Sequence, residues 1–138
     1  MAILTTDIIY RLSGGAANSD PNASLGGAKS SVAAGSNLFD DKSSAEATAG
    51  RIEYRCFYVH NAHASLTYLA PKIWIQTNTP SADTTVDIGL GTSAVNGTEQ
   101  TVANETTAPV GVTFSALLLM LLVLQCQIFL LVRVWQYG

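Results

Sequence analysis

A chain of 138 residues has room for one ordinary hydrophobic core and not for two. A net charge of -3, with only 12% of residues charged, leaves no basic field for nucleic acid and no acidic run for solvation or calcium. Two cysteines, Cys56 and Cys126, exclude a dense disulfide framework and a zinc site of thiolates alone, and both are expected to be reduced.

The N-terminal residues lack a basic stretch followed by an apolar core, so no signal peptide is expected there. Residues 6–12 read as a short strand that pairs with the edge of the later sheet, with Arg11 facing solvent. Residues 13–50 are dominated by Gly, Ala, Ser, Asn and Asp, with too few large apolar groups for a core of their own. Leu25, Val32, Leu38 and Phe39 are irregularly spaced anchors, which suits an extended arm laid along another surface better than an amphipathic helix. Residues 43–49 allow one helical turn at most.

Two strands are expected at residues 51–60 and 71–78, joined as a hairpin by a short polar turn. Strand alternation puts Ile52, Tyr54, Cys56 and Tyr58 on one face of the first, and Glu53, Arg55, Phe57 and Val59 on the other. In the second strand Ile73 and Ile75 share a face opposite Lys72, Trp74 and Gln76. After a turn at 80–83, residues 84–90 alternate with Val86, Ile88 and Leu90 inward. Residues 91–109 form a loop, and residues 110–115 read as a further strand with Val110, Val112 and Phe114 on one face. Closely spaced strands with turn chemistry between them predict an all-β, antiparallel immunoglobulin-like sandwich.

From Ala116 the composition changes to a Leu-rich run. As a membrane helix it would span about 17 residues, at the short limit, with Arg133, Trp135 and Tyr137 at the interface and Gln125 and Gln127 against the idea. A second reading is a frameshift. Leu, Met, Val, Ile and Phe codons share T at the second base, and a shifted frame from Leu117 can spell a polar string with an Asp-Ile-Pro-Ala-Gly turn and an Ala-Val-Trp strand start. The tail is expected to be helical, and on the frameshift reading the sandwich lacks its final strands. The chain thus divides into an N-terminal strand and arm (1–50), a sandwich core (51–116) and an apolar tail (117–138).

No catalytic, cofactor or metal site is expected. Cys56 and His60 share a strand face but stand about 13 Å apart, too far to meet with His63 on one ion. Gly26-Gly-Ala-Lys-Ser30 lacks the glycines a phosphate loop needs. No Gly-x-Ser-x-Gly string occurs, and Asp83, Asp87 and Glu99 fall in turns or solvent-facing positions. Asn22, Asn96 and Asn104 head Asn-x-Ser/Thr strings that a Ser- and Thr-rich chain produces by chance. The aromatic set Tyr54, Tyr58, Tyr68 and Trp74 could offer a carbohydrate or protein contact face, although core packing is the commoner role.

Three strings carry a resemblance: Arg11-Leu-Ser-Gly-Gly-Ala-Ala-Asn-Ser-Asp-Pro-Asn-Ala-Ser-Leu-Gly-Gly27, Ala45-Glu-Ala-Thr-Ala-Gly-Arg-Ile-Glu-Tyr-Arg-Cys-Phe-Tyr-Val-His-Asn61 and Val102-Ala-Asn-Glu-Thr-Thr-Ala-Pro-Val-Gly-Val-Thr-Phe-Ser-Ala116. Residues 1–116 resemble a family of uncharacterised tailed-bacteriophage structural proteins, and the chain departs from that pattern at Leu117. The resemblance implies a non-enzymatic virion component, in capsid decoration or at the tail. Its partners would be other virion subunits or copies of itself, without nucleic acid, and a membrane only if residues 117–138 span one. Leu25, Leu38, Phe39, Tyr54, Tyr58 and Trp74 are the expected interaction residues. A tail-anchored membrane protein with a cytoplasmic β domain, or a glycan-binding module, are the alternatives.

Overall fold

Eleven residues, Arg51–Asn61, form the longest described strand, and it is buried on both faces. The computed structural model describes residues 2–69, 72–77, 83–94, 97–115, 117–119 and 125–134, with side chains described through Ser115. Among the described residues seven strands run in chain order: β1 Ile8–Leu12, β2 Arg51–Asn61, β3 Lys72–Trp74, β4 Thr84–Leu90, β5 Phe114–Ser115, β6 Leu117–Leu119 and β7 Gln125–Val134. A six-residue helix, α1 Ser44–Ala49, precedes β2. The strands form a five-stranded sheet in the order β1-β2-β7-β4-β5 and a two-stranded sheet of β3 and β6, with every pairing antiparallel.

The core lies on one face of the larger sheet, where Leu12, Phe57, Val59 and Ile88 meet Leu38 from the segment between β1 and α1. Ile73 and Ile75 pack onto this cluster, so the β3 region forms a second layer over it. On the opposite face Tyr54, Cys56 and Tyr58 are buried, and the Tyr54 ring meets Phe114 at 5.6 Å between centroids.

Residues 13–34 lie along this chain's own sheet. Ala34 N–H donates to the Tyr10 carbonyl, Leu12 N–H to that of Val32, and Ser30 N–H to that of Leu12. Where β1 stops, the edge of β2 is continued by irregular chain: Cys56 N–H donates to the Ser24 carbonyl and Tyr54 N–H to that of Glu105. Small residues permit this approach. Ser13, Ser24 and Ser30 are completely buried, and a Cβ on Gly26, whose φ is +100°, would collide with the Gln100 carbonyl oxygen. Buried backbone groups must find partners, and here a Gly- and Ser-rich segment supplies them.

The strand expected at 6–12 begins at Ile8, after a 3-10 turn over Thr5–Asp7; the inward set of β4 agrees with the sequence, and Ile88 is the most buried of that set. Other expectations are corrected. β2 does not form a hairpin with β3. It pairs with β1 and β7, because the connection from Asn61 to Lys72 exceeds the roughly two to five residues that lock a hairpin. The apolar run after Ala116 is not helical where it is described: Leu117–Leu119 and Gln125–Val134 are strands. A strand covered by apolar groups on both faces reads as a continuous apolar run, as a buried helix does, and periodicity cannot separate them. No described helix is long and apolar enough to cross a membrane.

Only Phe114–Ser115 of the expected 110–115 strand is extended into a ladder, and Val110 is 85% exposed. Arg11 is half-buried instead of facing solvent, with its guanidinium on the Ser31 carbonyl. α1 exceeds one turn because Ser43 and Glu46 cap it reciprocally: Glu46 N–H donates to Ser43 Oγ, and Ser43 N–H to the Glu46 carboxylate. Residues 80–82 of the expected turn, Asn96, Trp135 and Tyr137 lie outside the described residues.

Candidate functional site

The core face of β2 is divided lengthwise. Its second half, Phe57 and Val59, is apolar, while its first half carries Arg51, Glu53 and Arg55 at successive inward positions. Leu38 and Phe39 sit at the boundary. Phe39 packs beneath the Arg55 guanidinium, whose carbon lies 5.4 Å from the ring centroid, a cation–π contact that ties the two halves together.

Beside Phe39 the apolar half opens as a surface groove of about 380 Å³ lined by Tyr10, Ala34, Leu38, Phe39, Phe57 and Val86. Tyr10 and Phe57 form one wall, with ring centroids 5.8 Å apart. Tyr10 also borders a second hollow of about 360 Å³, where Ile3, Leu4, Ile8 and Tyr68 face it. The two hollows share one half-exposed tyrosine, so an apolar surface extends across β1.

The polar half is an ion network. Arg55 is fully buried, and its Nη2 lies 2.9 Å from Glu105 Oε2, 3.6 Å from Asp40 Oδ1 and 3.0 Å from Asn22 Oδ1. Glu53, 1% exposed, accepts from Lys42 Nζ at 2.7 Å and from Arg51 Nε at 2.6 Å. Arg51 reaches Glu105 as well, and Glu46 of α1 at 3.5 Å. Burial pulls the Lys42 ammonium down, but hydrogen bonds to Asp40 and Glu53 outweigh it and hold its pKa above the ordinary value. The same Lys42 contact holds the Asp40 carboxyl below its usual range. Such a network is costly to break, since removing one partner strands a buried charge.

The six expected interaction residues separate. Leu38 and Phe39 come together at the groove. Leu25 is half-buried in the segment over the other face, and Tyr54 and Tyr58 are buried there, Tyr58 donating its hydroxyl to the Gly27 carbonyl at 2.6 Å. Trp74 is 59% exposed on β3, away from that pair. Tyr10 is the groove residue that sequence reasoning missed. Its signal was alternation with Ile8 and Leu12 in a strand whose inward face then runs past the sheet's edge.

Among the described residues no three His, Cys, Asp or Glu side chains could hold a metal ion. Cys56 is a buried thiol, and the His60 ring lies against Lys29. Gly26 and Gly27 adopt positive φ, but no helix follows them, so the segment lacks the form of a phosphate loop. No family model, curated protein or solved structure matches the chain.

Proposed function

We propose that this protein is a non-catalytic structural subunit of a tailed-phage particle, in capsid decoration or at the tail, whose sheets form an immunoglobulin-like sandwich. It binds a second copy of itself through the groove between Tyr10, Leu38, Phe39 and Phe57. The observation that carries this reading is the apolar surface across β1, where two adjoining hollows share the Tyr10 ring. Aromatic anchors in shallow apolar grooves are the usual centres of subunit contacts. A like partner fits best because the charges flanking the groove are already paired within the chain, which leaves little field there to select an unlike one. The resemblance of residues 1–116 to phage structural proteins supports the particle setting.

The test is mass spectrometry of purified particles from the phage that carries the gene, with sedimentation of the isolated protein. The chain should be present in particles and should self-associate, and Tyr10→Asp and Phe39→Asp should each weaken both. Absence from particles, or self-association unchanged in both variants, overturns the reading. A glycan-binding alternative is favoured only by the exposure of Trp74, and would require Trp74→Ala to abolish binding on a sugar array.

A further inference from the structure

On the face of the sheet opposite the groove, three nitrogen-bearing side chains from three segments converge. Arg11 of β1 stands opposite Tyr58, and His60 stands opposite Ile9, so Arg11 and His60 share a face. Lys29, from the segment that covers this face, places Nζ 3.2 Å from His60 Nδ1. The guanidinium of Arg11 is anchored on the Ser31 carbonyl, two residues beyond Lys29, and its Nε is buried with no hydrogen-bond partner. Among the described residues no carboxylate forms an ion pair with any of the three. By register β7 adds only Gln125 and Gln127 opposite His60 and Tyr58, and both are uncharged. His63 lies beyond the strand end, where its Nδ1 accepts from Ser65 and Leu66 N–H. Asp7, on the β1 side, has its carboxylate accepting from Leu4 N–H.

From this convergence we propose that Arg11, Lys29 and His60 form a shallow binding site for a single tetrahedral oxyanion, a sulfate or a phosphate group. Lys29 can donate to His60 Nδ1 only while that nitrogen is unprotonated. Proton uptake turns the pair into two donors beside a third, and an oxyanion bridges them where the bare cluster would repel itself. Burial, then Lys29 and Arg11, hold the His60 pKa below its ordinary value, so the bare site resists that proton and the anion favours its uptake. Lys29 is likewise held low by burial and by Arg11.

The test follows the two histidine ring signals by NMR in the full chain, titrated with sodium sulfate against sodium chloride of equal ionic strength. Sulfate keeps its charge over this pH range, so a pH-dependent affinity reports the protein. Saturable movement of His60 with a raised pKa, tighter binding at acidic pH, His63 unmoved, and roughly tenfold weaker binding in Lys29→Gln are the expected results. Arg11→Lys should bind at intermediate strength, which separates loss of charge from loss of fold. Repeating the titration with inorganic phosphate and with phenyl phosphate distinguishes a free ion from a phosphate group carried by a larger molecule. If chloride moves His60 as far as sulfate does, if both histidines shift together, or if Lys29→Gln binds at full strength, the proposal is wrong.

Discussion

Arg55 and Glu105, fifty positions apart in sequence, meet at 2.9 Å in the middle of a strand whose other half is apolar core. The contact binds the loop before β5 to β2, while Lys42 binds the segment before α1 to the same strand through Glu53, and Arg51 of β2 reaches Glu46 of α1. Arg55→Met should therefore cost about 3 kcal/mol in urea unfolding, because it takes the buried guanidinium away from Glu105, Asp40 and Asn22. Adding Glu105→Gln should recover part of that loss. A single-variant loss below about 1 kcal/mol would mean that solvent screens the network.

Ser13 is a second lever. Its hydroxyl donates to the Cys56 carbonyl at 2.8 Å and accepts from Gly26 N–H at 3.0 Å, all within the fold. Ser13→Ala should lower stability by about 2 kcal/mol in thermal or urea unfolding, since it leaves both backbone groups without that partner. A detachable arm would show no change.

Gly26 tests the same packing from the backbone. With φ at +100° and the Gln100 carbonyl against it, Gly26→Ala should cost about 1–3 kcal/mol. Hydrogen exchange should then accelerate at Gly27 and Val102, whose amides donate to Gln100 and Leu25. Exchange unchanged at both amides would refute that packing.

His60 sets a pH dependence. Its pKa is lowered in the native state, so between that value and about 6.5 the unfolded chain holds more protons. Stability is full above about pH 6.5 and falls as pH drops toward the native pKa. Asp40 and Glu46, whose native pKa values are lowered by hydrogen bonds from Lys42 and Ser43, add a separate loss below about pH 4. Urea midpoints against pH should show both steps in the wild type, and only the acid one in His60→Gln. A retained upper step would assign it to another group.

Alternation made β1, β2 and β4 legible, because period two needs nothing beyond neighbouring residues. Their partners were not. Nothing local in residues 51–78 reveals that β2 lies between β1 and β7, and the run that forms β7 carries no alternation to set it apart from a helix. The groove was half legible: Leu38 and Phe39 stood out as large apolar residues in a Gly- and Ser-rich segment, whereas Tyr10 joined them through strand register alone. The ion network left two local traces, the Ser43–Glu46 capping box and the alternating charges of Arg51, Glu53 and Arg55. Its closure depends on Glu105 and Lys42 arriving from distant loops.

The position of β7 governs how the molecule can be assembled. β1 with β2, and β4 with β5, are two half-sheets, and the strand between them is synthesised after all four. Until it docks, β2 and β4 each present an open row of backbone donors and acceptors at what becomes the sheet's middle. Closure is then a single long-range event, slow by its topology, and the waiting slot will accept any extended peptide of suitable apolar character. A nascent copy of this chain is thus a natural receptor for the β7 strand of a neighbour, and strand exchange is the error its topology most invites.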